Sequence, residues 1–71
     1  MSTEFRLTTS CVVRRLRERH GIERTPDTVR MWGRKGRLPV LELENGQRLY
    51  RGRDVDDLAS RIVARESGYM A

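Results

Sequence analysis

The stretch from Thr25 to Pro39, Thr-Pro-Asp-Thr-Val-Arg-Met-Trp-Gly-Arg-Lys-Gly-Arg-Leu-Pro, predicts a short helix with a capping signal at each end. Thr25 is a good N-cap, and Pro26 suits the first helical position because its missing N–H would have no intrahelical partner. Gly36 favours the left-handed conformation that ends a helix, and Pro39 prevents the helix from resuming. These signals predict a helix of about ten residues, roughly 26 to 35.

Helical periodicity gives this segment two different faces. At about 100° per residue, one side carries Val29, Trp32, Gly33 and Gly36. The other side carries Asp27, Arg30, Met31 and Arg34, flanked by Thr28 and Lys35. We therefore expect one face to be buried and the other to present cationic hydrogen-bond donors to a partner.

The composition indicates one small domain that faces a polyanion. The chain has 71 residues and a net charge of +5, and its length allows only one small core. Residues 1 to 53 hold thirteen basic and six acidic side chains, whereas residues 54 to 71 hold two and four. Such an asymmetry is typical of a domain whose basic body binds a polyanion. Fourteen of the fifteen cations are Arg, whose guanidinium can donate two hydrogen bonds to one phosphate or guanine. Codon bias in a GC-rich genome would also favour Arg.

Several classes of protein are disfavoured by what the sequence lacks. Cys11 is the only cysteine, so it cannot form an internal disulfide, and with only His20 beside it no zinc site is expected. No apolar run approaches the ~18 residues of a membrane span, and residues 1 to 5 do not resemble a signal peptide. The expectation from these features is a cytosolic, reduced protein with no metal, cofactor or membrane partner.

A first helix is predicted before the quoted stretch. Residues 5 to 7 are an extended lead-in, Thr8 or Thr9 caps a helix that runs to about Arg19 or His20, and Gly21 ends it. Its apolar stripe is Val12, Val13 and Leu16, with Cys11 at the edge as a buried or half-buried residue. Arg14, Arg15, Arg17 and Arg19 are interpreted as a mainly solvated face. The short connection to the second helix predicts a helix-turn-helix.

A hairpin is predicted after the second helix. Residues 38 to 44 and 47 to 51 flank Asn45-Gly46, a strong signal for a two-residue type I′ turn. In that register Leu43 pairs with Arg48 and Leu41 pairs with Tyr50. Leu41, Leu43 and Tyr50 would then share the face that docks on the helices.

The third helix shows the clearest periodicity, since apolar residues recur at helical spacing: Val55, Leu58, Ala59, Ile62 and Val63. The fold class is therefore mainly α with a β-hairpin, a winged helix-turn-helix with three helices and one two-stranded wing. The domain is expected to occupy residues 1 to 71, with a core at about 5 to 65 and a short C-terminal tail at 66 to 71 that does not fold alone.

These residues also carry a family resemblance, which covers roughly residues 5 to 65. The matching pieces are Thr28-Val-Arg30, Trp32, Arg34-Lys-Gly36, Leu38-Pro39, Asn45-Gly46, Arg48-x-Tyr50 and Asp54-Val55-x-x-Leu58. In order and spacing they resemble the winged-helix DNA-binding unit of the MerR superfamily. Within it the sequence is most similar to the small excisionases, or recombination directionality factors, of temperate phages such as mycobacteriophages.

The resemblance implies a mode of binding and a set of partners. The second helix would enter the major groove of double-stranded DNA, and the hairpin would lie along an adjacent minor groove. Several copies would bind cooperatively, bend the DNA and place a phage integrase for excision. Without a long dimerising helix and effector region like those of MerR regulators, which are not expected here, no small-molecule effector is expected. The resemblance also implies a location on DNA in the cytoplasm of a bacterial host. A contact with integrase through residues 66 to 71 is a weaker expectation.

The residues expected to contact DNA divide by role. Arg30 and Arg34 would each donate two bonds to guanine, and Met31 would touch a thymine methyl. Phosphate anchors are expected at Thr25, Thr28 and Lys35, and contacts of the wing with the minor groove at Asn45, Gln47 and Arg48. Trp32 and Tyr50 are interpreted mainly as core residues.

Two other functions are compatible with the sequence. A small transcriptional regulator would use the same DNA surface. A basic RNA-binding protein would instead expose aromatic side chains for stacking, and the aromatic residues here fall mostly on core faces or at the ends of the chain. No nucleophile with a base, paired carboxylates or phosphate-binding loop is found, which predicts a protein that is not an enzyme.

Overall fold

The computed structural model describes the backbone of residues 5 to 70 and the side chains of residues 5 to 66. The described part contains three helices and three strands in the order β1 (Phe5–Leu7), α1 (Thr9–His20), α2 (Pro26–Arg34), β2 (Val40–Glu42), β3 (Arg48–Arg51) and α3 (Gly52–Met70). The strands form one antiparallel sheet in the order β1-β3-β2. The predicted winged helix-turn-helix is confirmed.

The predicted ends of the first two helices are confirmed. The Thr8 hydroxyl accepts a hydrogen bond from the Cys11 N–H at the start of α1, and Gly21 ends that helix with a φ of 67°. Thr25 caps α2 by accepting from the Thr28 N–H, and Pro26 is the first helical residue. Because Gly36 has a φ of 77°, the chain leaves α2 in the left-handed conformation that glycine favours.

The extended lead-in at residues 5 to 7 is the third strand of the sheet. Phe5 is the partner of Arg51, and Leu7 is the partner of Tyr50, with an irregularity between them. The Arg51 guanidinium lies 4.9 Å from the centre of the Phe5 ring, a cation–π contact that holds β1 on β3. The hairpin is thus attached to the helices through β1 as well as through its own residues.

The predicted hairpin register is wrong by one residue. Val40 is the partner of Tyr50, and Leu41 is the partner of Leu49. The Leu43 N–H donates to the Gln47 carbonyl, and the Gly46 N–H donates to the Leu43 carbonyl. Glu44, Asn45 and Gly46 therefore form a three-residue loop in which only Gly46 has a positive φ, 88°. This is a type I turn followed by a glycine bulge, not a type I′ turn.

The one-residue shift reverses the faces of β2, because the side chains of a strand alternate between its two sides. Val40 packs against the core, whereas Leu41 and Leu43 are exposed. Only Tyr50 of the three residues expected on the docking face is buried. The wing therefore presents two leucines to solvent.

The core forms where the three helices meet the inner face of the sheet. It contains Val12, Leu16, Ile22, Val29, Trp32, Leu38, Tyr50, Val55, Leu58 and Ala59. Two expectations are wrong at its margins. Val63 is 42 % exposed because it lies about 80° around α3 from Val55, at the edge of the apolar stripe, and Cys11 is exposed because it lies about 100° around α1 from Val12.

The third helix is longer than the periodic stripe predicted. It continues to Met70, so residues 66 to 70 extend the helix; the side chains of residues 67 to 71 lie outside the described part. Gly52 begins this helix beside Arg15. A Cβ at Gly52 would lie 3.0 Å from the Arg15 guanidinium carbon, so the glycine leaves room for that side chain.

An ion-pair cluster joins α1 to α3. Arg15 donates to both carboxylate oxygens of Asp56, at 3.0 and 2.8 Å, and His20 Nε2 lies 2.9 Å from Asp56 Oδ1. These hydrogen bonds, chiefly those from Arg15, hold the pKa of Asp56 well below its usual range and raise the pKa of Arg15. The interpretation of the α1 arginines as a mainly solvated face is therefore wrong for Arg15.

Candidate nucleic-acid interface

The outward face of α2 carries the cations that the sequence predicted there. Val29 and Trp32 are buried, whereas Arg30, Met31, Arg34 and Lys35 are exposed. The amphipathic helix therefore separates its anchoring residues from its donors. Among the described residues, no carboxylate forms an ion pair with Arg34 or Lys35.

Arg30 has an acidic neighbour on the same helix. Its Nη1 atom lies 2.9 Å from Asp27 Oδ1, in an i,i+3 pair whose side chains are 46 % and 91 % exposed. An exposed pair of this kind contributes about 0–1 kcal/mol because water and salt screen both charges. A guanine or phosphate can displace Asp27 at that small cost, so Arg30 remains available as a donor.

Three elements line one cleft of about 270 Å³ on this side of the molecule. Arg30 comes from α2, Gln47 and Arg48 come from the wing with Gly46, and the start of α1 closes the cleft. The structure thus brings together three of the residues that the sequence analysis assigned to DNA. They lie on α2 and on the wing, which are separate in sequence. A surface of this kind could contact a duplex at two places.

The start of α1 is part of this cleft and was not expected there. Thr8, Thr9 and Ser10 line it, although the sequence suggested only a cap. The first amides of a helix have no intrahelical carbonyl and carry a partial positive charge, which suits a phosphate oxygen. Consecutive hydroxyl residues at the start of a helix could have predicted a phosphate contact from the sequence. The position of this helix start beside the wing, however, depends on the tertiary fold.

Three of the predicted contact residues also have local structural roles. The Thr25 hydroxyl accepts from the Thr28 N–H and lies 3.0 Å from the Thr28 hydroxyl. Thr28 itself faces α3, on the other side of α2 from Arg30. Asn45 Oδ1 accepts from the Gln47 N–H at 2.9 Å and so stabilises the wing turn. Contacts of these three residues with DNA remain predictions.

Among the described residues, no group of three or more His, Cys, Asp or Glu side chains could hold a metal ion. The pKa of the exposed Cys11 thiol is lowered, mainly by its hydrogen bonds with Thr8 and then by the charge of Arg14. Within the described part, no helix is both long and apolar enough to cross a membrane.

Comparison with known families agrees with this geometry. Residues 11 to 70 match the family model described as MerR HTH family regulatory protein. Neither the curated proteins nor the solved structures include a match to the chain. The matched segment contains α2, the wing and most of the other described elements, except β1 and the first residues of α1.

Proposed function

The chain belongs to the MerR HTH family, and from that premise we propose that it recognises one double-stranded DNA site and acts there as an excisionase. A helix-turn-helix domain of this family is a DNA-binding domain. The finer proposal concerns which residues read the DNA and what the binding accomplishes. It involves binding alone, with no reaction catalysed by the protein.

The cleft shared by α1, Arg30 and the wing tip is the observation that carries the proposal. With α2 in the major groove, Arg30 and Arg34 donate to guanine O6 and N7, and each such pair discriminates by about 1–3 kcal/mol. The wing places Arg48 and Gln47 against the neighbouring minor groove and its phosphates. The first amides of α1 bind a phosphate between these two contacts, which fixes the register of the helix on the duplex.

The small amount of DNA that one such unit can read supports the proposed excisionase role. The described residues contain one reading helix and one wing, which contact only a few base pairs. In the proposal, several copies bind adjacent repeats, and their contacts with one another and with bent DNA supply the missing affinity. The bent array then positions an integrase so that excision is favoured over integration.

Two experiments test the two levels of the proposal. Selection from random duplexes, followed by competition with non-specific duplex and with RNA, should yield one preferred DNA site. Equal binding to the selected duplex, to non-specific duplex and to RNA would contradict sequence-specific recognition. Where an integrase gene lies beside this one, adding the protein to that integrase and its attachment-site DNA should switch the favoured direction of recombination. An unchanged direction would exclude the excisionase role while leaving DNA recognition intact.

A transcriptional regulator is the second candidate, because the family model is described as a regulatory protein. Such a regulator would use the same α2 and wing surface at a promoter. A reporter driven by a promoter that contains the selected site should respond to the protein in this case. A response of the reporter together with no effect on recombination would favour the regulator over the excisionase.

A further inference from the structure

A second concavity, which we call the α2–α3 groove, lies between those two helices and has a volume of about 620 Å³. Its floor is formed by Trp32, Leu58 and Ile62. Trp32 and Leu58 are largely buried, and Ile62 is half-buried. The groove therefore opens onto the edge of the core. An apolar side chain of a bound partner would be buried there, away from water.

The rim of this groove is strongly cationic. Arg24, Arg37, Arg61 and Arg65 line it together with one acid, Glu66. Arg24 Nη2 lies 3.7 Å from Glu66 Oε2, while no ion pair links Arg37, Arg61 or Arg65 to a carboxylate of the described residues. Four arginines and one glutamate leave a local charge of +3 around an apolar floor.

This groove is distinct from the DNA-binding cleft. Thr28 and Trp32 of α2 line the groove, whereas Arg30 lines the cleft. Since a helix turns by about 100° per residue, Thr28 and Arg30 point in nearly opposite directions. The groove therefore lies on the opposite side of α2 from Arg30. An apolar floor also contributes little to binding the sugar-phosphate backbone, whose contacts are mainly polar.

We propose that the α2–α3 groove binds an acidic segment of a partner protein, which inserts one large apolar side chain between Trp32, Leu58 and Ile62. The carboxylates of that segment would pair with Arg37, Arg61 and Arg65, since complementary charge steers association and fixes register. An amphipathic helix laid in a groove is one of the common forms of peptide recognition. This interaction goes beyond DNA binding and does not depend on it.

A peptide-display selection tests the proposal directly. The full protein is used to select from a library of random dodecapeptides, and the selection is repeated with the Arg61→Glu/Arg65→Glu variant. Peptides rich in Asp and Glu that carry Leu, Phe or Trp should be enriched on the wild type and lost on the variant. Enrichment of peptides without acidic residues, or equal enrichment on both proteins, would overturn the proposal.

The selected peptides then serve as defined probes. The protein contains a single tryptophan, and its ring lies in the groove, so its fluorescence should change on binding. The Arg61→Glu/Arg65→Glu change should weaken binding of the peptide by about tenfold or more. An Arg17→Glu/Arg19→Glu variant has the same net charge but changes exposed residues of α1, and it should bind the peptide nearly as well as the wild type. An equal loss of peptide affinity in both variants would show a non-specific charge effect and would refute peptide binding in the α2–α3 groove.

Two further outcomes count against the proposed occupant. If the protein alone forms dimers that the Arg61→Glu/Arg65→Glu change abolishes in sedimentation experiments, the groove holds a second copy of the chain. If a short DNA duplex competes with the peptide for the groove, the ligand is nucleic acid. Circular dichroism of both variants verifies that they are folded.

Discussion

At the scale of single residues, the ion pair between Arg30 and Asp27 is expected to oppose the binding of Arg30 to DNA. We expect Asp27→Asn to tighten binding to the preferred site for two reasons. Arg30 no longer has to break an ion pair with a carboxylate, and the change removes a negative charge near the DNA phosphates. The gain should be about 0.5–1 kcal/mol, within the range for an exposed pair. Titration of a labelled duplex measures it.

The control for this prediction is the arginine itself. Arg30→Ala and Arg34→Ala should each reduce the preference for the selected site over random duplex by about 1–3 kcal/mol. Arg14→Ala should weaken binding to every duplex by a similar factor. If Asp27→Asn weakens binding, or if the Arg30 change leaves site preference intact, Arg30 does not read the DNA.

Tyr50 offers a separate test of the packing. Its side chain is fully buried, and its hydroxyl has no hydrogen-bond partner among the described residues. A buried polar group without a partner costs about 1–3 kcal/mol, so Tyr50→Phe should leave the free energy of unfolding unchanged or raise it. Urea denaturation measures this. A loss of more than about 1 kcal/mol would indicate a hydrogen bond to that hydroxyl in solution.

At the scale of elements, the wing turn distinguishes the observed register from the one that the sequence suggested. Gly46 has a φ of 88°, whereas Asn45 has a negative φ. Gly46→Ala should therefore cost about 1–2 kcal/mol in folding stability, and Asn45→Ala only about 0.5–1.5 kcal/mol from the lost hydrogen bond to Gln47. A type I′ turn would need a positive φ at both residues, so equal and large costs would restore the predicted register.

The elements also show what sequence could and could not predict. Helix ends are local, and Thr8, Gly21 and Thr25 identified them correctly. The wing register depends on whether Leu41 or Val40 faces the core, and both residues suit a strand, so only packing against Tyr50 decides it. The cluster of Arg15, His20 and Asp56 joins residues about forty positions apart, and nothing in the local pattern of either helix indicates it.

That cluster gives the link between α1 and α3 a dependence on pH. The pKa of Asp56 is depressed in the folded state, mainly by Arg15, so its stabilising effect is complete above the unfolded-state pKa of about 3.9 and is lost as the pH falls below it. Because the carboxylate is partly exposed, we expect wild type to lose about 1 kcal/mol more than Asp56→Asn between pH 7 and pH 3. Thermal unfolding across this range measures the difference, and parallel curves would contradict it.

At the scale of the whole molecule, the two concave surfaces carry different cations, and the salt dependence of DNA binding tests whether they have the two different tasks that we propose. Each cation that neutralises a phosphate steepens log K against log salt by about 0.9. We expect Lys35→Ala and Arg48→Ala each to flatten the slope by about that amount, because both residues are predicted DNA contacts and neither lines the α2–α3 groove. Arg61→Ala removes the same charge from the α2–α3 groove and should leave the slope nearly unchanged. Because all three variants have equal net charge, equal slopes would mean that only the total charge matters. A flatter slope for Arg61→Ala alone would place the DNA on α3 instead of α2.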